Sequence, residues 1–160
     1  MTFTLRLTHD EPRLVFLALV YHLARPGSEL DADTLGPSES GLRDVKVALG
    51  AHLFEDSALV ELDEQQYRKL LSAIYGSVNE LRVLHMRGDS GSVPGFRDSA
   101  RQLFPAIAKE PDAALNVAEA MMLLHRRLER AVDRATARQD SVKRSETGAR
   151  SRWPFRRAKR

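Results

Sequence analysis

Three observations predict a mainly α fold. Apolar residues recur at helical spacing along most of the 160 residues, strand-like alternation is confined to two short stretches in the first half, and apolar periodicity is lost from Thr136 onward. The expected architecture is a compact helical domain of about five helices, with one or two short strands in its N-terminal half and a disordered basic C-terminal tail.

The first element is a strand over residues 2–8, where Phe3, Leu5 and Leu7 alternate with Thr4, Arg6 and Thr8. Asp10 offers a helix cap and Pro12 is tolerated in a first turn, so a helix follows. Its apolar run from Leu14 to Leu23 points all round the axis, which predicts burial on most sides before Arg25-Pro26-Gly27 ends it. Residues 26–41 collect Gly, Pro, Ser and acidic side chains and read as a loop. Leu42, Val45, Leu49, His52 and Leu53 then share a helical face, and Ala58, Val60 and Leu62 alternate as a second short strand.

Asp63 and Gln66 have the spacing of a capping box, and Tyr67, Leu70, Leu71, Ile74, Val78, Leu81 and His85 carry one helical stripe beyond it. The hexapeptides from Phe16 to Tyr21 and from Leu70 to Tyr75 echo each other, each after a candidate strand and an acidic cap. Gly88 to Gly95 read as a loop that serves as a linker or flexible turn, followed by a helix from about Phe96 to Ala108 interrupted at Pro105. A long helix starts near Pro111, and its Ala114, Val117, Met121, Leu124, Leu128, Ala131 and Ala135 form a heptad seam. The organisation expected from this is a mixed strand and helix part (1–87), a Gly/Ser loop (88–95) and a helical part (96–138) packed on the first. A basic tail (139–160) completes it.

Composition excludes several classes. With 42% hydrophobic and 29% charged residues the chain is globular, and no apolar stretch reaches the roughly 18 residues of a membrane span. The first ten residues lack the pattern of a secretory signal, so a cytoplasmic location is expected. The absence of cysteine excludes disulfides, thiol nucleophiles and thiolate metal sites. The net charge of +3 conceals an asymmetry: residues 1–135 hold 16 Lys and Arg against 20 Asp and Glu, whereas residues 136–160 hold 9 against 2.

Chemical motifs are weak. Gly88-Asp89-Ser90-Gly91 matches in letters the tetrad around the nucleophilic serine of trypsin-like proteases, but that chemistry needs two β-barrels and a His and Asp from earlier strands. Asp31-Ala-Asp33-Thr-Leu-Gly36 resembles the opening of a calcium-binding EF-hand loop, yet Leu35 and Leu42 stand where coordinating oxygens are required. His9, His22, His52, His85 and His125 lack tight ligand spacing, and no phosphate-binding glycine loop or paired-carboxylate motif is present. No metal, cofactor or catalytic residue is therefore assigned.

The readings that remain concern binding. The face of Val117, Met121, Leu124 and Leu128 is either intramolecular core or an interface for a second copy or a partner helix. Arg126, Arg127, Arg130 and Arg134 line the polar side of the same helix, where Arg126 with Glu129 and Arg130 with Asp133 have ion-pair spacing. Arg150, Arg152, Trp153, Phe155, Arg156, Arg157, Lys159 and Arg160 combine phosphate-neutralising charge with aromatic rings that stack on bases or sit at a headgroup boundary. The expectation is a small non-enzymatic accessory protein with a helical assembly surface and a tail that attaches to a polyanion such as nucleic acid. The rival is a small enzyme or ligand-binding domain whose site gathers Tyr21, His22, Tyr75 and His85.

Overall fold

The computed structural model describes residues 2–25, 41–90 and 92–149. The loop expected at 26–40, including the Asp31 and Asp33 motif, lies outside the described residues, as do Gly91 and the segment from Arg150 to Arg160. Among the described residues the order is β1 (Thr2–Thr8), α1 (Glu11–Ala24), α2 (Leu42–Gly50), β2 (Ser57–Asp63), α3 (Glu64–Arg87), α4 (Pro94–Leu103), a short 3-10 turn (Pro105–Ala108) and α5 (Ala113–Ala149). The protein is mainly α, with five helices and one two-stranded sheet among these residues. None of the helices is long and apolar enough to cross a membrane.

The chain divides into two units, residues 1–125 and 126–160. The first is the body. Its strands pair antiparallel with Leu5 opposite Val60, Leu7 opposite Ala58 and Phe3 opposite Leu62. Period-two alternation therefore puts Phe3, Leu5, Leu7, Ala58, Val60 and Leu62 on one face, while Thr4, Arg6, Leu59 and Glu61 occupy the other. The inner face is sealed by Tyr67, whose ring lies 4.6 Å from that of Phe3.

Helix α1 is central to the body. Pro12, Leu14, Val15, Leu17, Ala18, Leu19, Val20 and Leu23 are all buried, which is what an apolar run pointing all round a helix requires. Asp10 does not cap it, however. Its backbone is already helical and its carboxylate pairs with Arg13, which leaves the N-terminal amides without a side-chain acceptor from this residue. Glu11 instead accepts hydrogen bonds from the Thr8 amide (2.9 Å) and hydroxyl (3.3 Å). His9, between them, takes the left-handed conformation at φ 54° and donates its amide to the Asp56 carbonyl at 3.1 Å, joining the ends of the two strands.

Helix α3 begins as the local spacing predicts. The Gln66 amide donates to Asp63 at 2.8 Å and the Asp63 amide donates to the Gln66 side chain at 2.9 Å, completing the capping box. Tyr67, Leu70, Ile74, Val78, Leu81 and Leu84 are buried along one stripe. Ser77, the buried polar group among them, is satisfied by donating to the Ala73 carbonyl at 2.8 Å. Helix α1 approaches closely at Gly76, where an added Cβ would lie 2.6 Å from Cζ and 2.7 Å from Oη of Tyr21.

Between α3 and α4 the Val93 amide donates to Glu80 at 3.3 Å, and Arg97 and Arg101 both reach back to Asp89. The last helix runs past Thr136, where apolar periodicity stops, to Ala149.

Pro105 does interrupt the preceding helix. Helix α4 ends at Leu103, buries Phe96, Ala100 and Leu103, and hands over to the 3-10 turn at Pro105.

Candidate functional site

Charge follows the division of the chain. Residues 1–125 hold 12 Lys and Arg against 18 Asp and Glu, a formal net charge of −6, and residues 126–160 hold 13 against 4, a formal net charge of +9. The basic surface therefore begins ten residues before the loss of apolar periodicity. In the second unit Arg126, Arg127, Arg130 and Arg134 are all exposed on α5. The pairing expected of Arg126 with Glu129 and of Arg130 with Asp133 is not formed among the described residues. The tail residues Arg150, Arg152, Trp153, Phe155, Arg156, Arg157, Lys159 and Arg160 lie outside the described residues.

The apolar seam of α5 is used by the fold. Met121 and Leu124 are buried at 0% and 3% exposure, Val117 is half-buried, and Leu128 is buried as well. Ala114 and Ala118 extend the buried face by one turn. Leu123, in contrast, is exposed.

The rival constellation is not gathered. Tyr21 lies over Gly76, meets the Phe96 ring edge-on at 5.9 Å and carries the Arg25 guanidinium over its face at 5.6 Å. Tyr75 is exposed and pairs with His125 across α3 and α5, with ring centroids 6.2 Å apart. Nδ1 of His85 donates to the Pro111 carbonyl at 2.9 Å, fixing the start of α5 against the end of α3. His22, half-buried, sits one residue from Tyr21 and so projects from a different side of α1. Tyr21, Tyr75 and His85 thus serve separate contacts.

Clefts open on the body among the described residues. One, of about 270 Å³, lies where α3, α4, the 3-10 turn and the start of α5 meet, with Leu84, His85, Arg101, Lys109, Glu110 and Ala114 among its walls. Another, of about 320 Å³, runs between α2 and β2 past Val45, Ala48, Leu49, His52, Leu59 and Glu61. Only His85 of the rival constellation lines either of them. His52, expected on the apolar face of α2, lies beyond its end, exposed and paired with Glu55 at 2.9 Å. Among the described residues no three His, Asp or Glu side chains converge on a point that a metal ion would occupy.

The Gly88-Asp89-Ser90 turn is tied to both flanking helices. Ser90 donates its hydroxyl to the Arg87 carbonyl at 2.9 Å and so closes the C-terminal end of α3. Asp89 accepts from Arg101 at 2.6 Å, and this hydrogen bond is the largest influence holding its carboxyl below the usual range. Desolvation opposes the shift, and the positive charges of Arg101 and Arg97 reinforce it. Sequence spacing did not reveal this clamp, since Asp89 and Arg101 are twelve positions apart on different elements. No protein-family model, curated protein or solved structure matches the chain.

Proposed function

We propose that this is a non-enzymatic binding or accessory protein that attaches to a polyanion, nucleic acid foremost, through its basic C-terminal residues. The observation that carries the reading is the coincidence of the charge boundary with the boundary between the two units: −6 before Arg126 and +9 from it onward. A segment of that charge density attracts phosphates and releases their counterions, while the acidic body is repelled by the same partner. Trp153 and Phe155, set among Arg150, Arg152, Arg156, Arg157, Lys159 and Arg160, add surfaces on which unpaired bases stack.

The assembly part of the reading is narrower. With Met121 and Leu124 enclosed by the body, a second copy or partner helix has Leu123 and the partly open Val117 to meet on α5.

Fluorescence anisotropy with labelled oligonucleotides and with anionic vesicles, at salt from about 0.05 to 0.2 M, tests the proposal. The full chain binds and a chain ending at Gln139 binds far less. Equal, weak binding by both chains at about 0.15 M salt overturns it.

A further inference from the structure

We propose that Arg126, Arg130 and Arg134, with Arg127 beside them, form a contact surface for B-form duplex DNA on α5. The inference rests on the polyanion reading and adds to it a face, a set of residues and a class of nucleic acid. None of these arginines belongs to the tail.

Residues four apart are neighbours on a helix surface, so the three guanidiniums stand in one row, each about 6 Å further along the axis than the last. Arg127 falls beside this row, and the four side chains together cover about 100° of the helix. All four are exposed, and Arg126, Arg130 and Arg134 make no hydrogen bond or ion pair among the described residues. Like charges at this spacing repel and weaken a helix. Asp133 is close enough in sequence to relieve the repulsion, yet it forms no ion pair with the row among the described residues; with Glu129 it lies along one edge of the row and leaves the arginine side to an anion. A regularly charged phosphate backbone laid along the row turns that repulsion into attraction.

Three features favour duplex DNA over other polyanions. A helix with its side chains is about 10–12 Å across and fits a major groove about 12 Å wide. The groove of A-form RNA is too deep and narrow for side chains to enter. An interfacial membrane helix needs a broad apolar face, whereas between Arg126 and Arg134 Leu128 is buried and every exposed position except Ala131 is charged.

The test uses the full chain, with Arg126→Gln/Arg130→Gln/Arg134→Gln as the row variant and Arg152→Gln/Arg156→Gln/Arg157→Gln as the tail variant. Far-UV circular dichroism checks that helicity is kept, which Gln permits. Binding to a labelled duplex, to the single strand of the same sequence and to phosphatidylserine vesicles is followed as a function of salt. The row variant is expected to flatten the logarithmic salt dependence on duplex DNA by about 2.7, or about 0.9 for each lost phosphate contact, with a smaller change on the single strand. Lysine at the same three positions restores the slope, since the point charges return. An unchanged duplex slope in the row variant, with binding lost in the tail variant, overturns this inference and leaves the polyanion reading standing. Equal changes on duplex and single strand overturn the duplex assignment. Binding to vesicles alone, or no binding to any probe by the full chain, overturns both the inference and the nucleic-acid reading beneath it.

Discussion

Replacing Gly76 by alanine sets two known effects against each other. Alanine is the better helix former in the interior of α3, by roughly 0.8 to 1 kcal/mol. Its Cβ, however, would stand 2.6 Å from Cζ and 2.7 Å from Oη of Tyr21, so the ring must move. Movement is restricted because the ring is already packed edge-on to Phe96, itself fully buried, and lies under Arg25. Overpacking of this kind costs about 1 to 3 kcal/mol. Gly76→Ala is therefore expected to destabilise by up to about 2 kcal/mol net, lowering the melting temperature by a few degrees in a chain of this size. Urea and thermal unfolding followed by circular dichroism measure this directly. The double substitution isolates the cause: in a Tyr21→Leu background the clash is gone, and Gly76→Ala should become stabilising by about the propensity difference. A stabilising effect of Gly76→Ala in the parent chain would refute the contact between α1 and α3 as the reason for glycine.

Three further outcomes follow from the same structure. Leu124→Asp places an unpaired charge at a position 3% exposed and should cost several kcal/mol in urea unfolding, whereas Arg130→Ala on the solvent side should cost less than about 0.5 kcal/mol. Ending the chain at Gln139 should leave the melting temperature nearly unchanged, because the buried apolar side chains among the described residues lie between Leu5 and Leu128; a broadened or much lower transition in a thermal scan would contradict this. Asp89, whose carboxyl is held low by Arg101, contributes stability that is fully present above the ordinary carboxylate value of 3.8 and is lost as pH falls through its lower folded value. The stability difference between the parent and Asp89→Asn should accordingly be constant near neutrality and shrink only below that value, with the carboxyl titration read by NMR.

What the sequence determined by itself was local. The alternation of Phe3, Leu5 and Leu7, the Asp63 and Gln66 spacing, the stripe from Tyr67 to Leu84 and the break at Pro105 each depend on neighbours within a few positions, and each became the element it predicted. The echo between residues 16–21 and 70–75 likewise corresponds to two strand-then-helix units whose strands pair antiparallel. The extent of the basic surface was readable in part, since charge can be counted, but the position where it starts is defined by the unit boundary at Arg126.

Tertiary structure decided what depends on distant residues. Asp10 loses its capping role because Arg13 takes its carboxylate, and Arg13 is itself held by the Leu103 carbonyl, 90 positions away, at 3.2 Å. The loop after α3 is fixed by Glu80, Arg97 and Arg101, and Gly76 is required by a tyrosine 55 positions earlier. Val117, Met121, Leu124 and Leu128 had the same spacing whether they faced the body or a partner, and only burial distinguished the two for Met121 and Leu124. Periodicity shows that a face is apolar; which surface covers it depends on how the other helices pack, and that is not encoded in any short window of the chain.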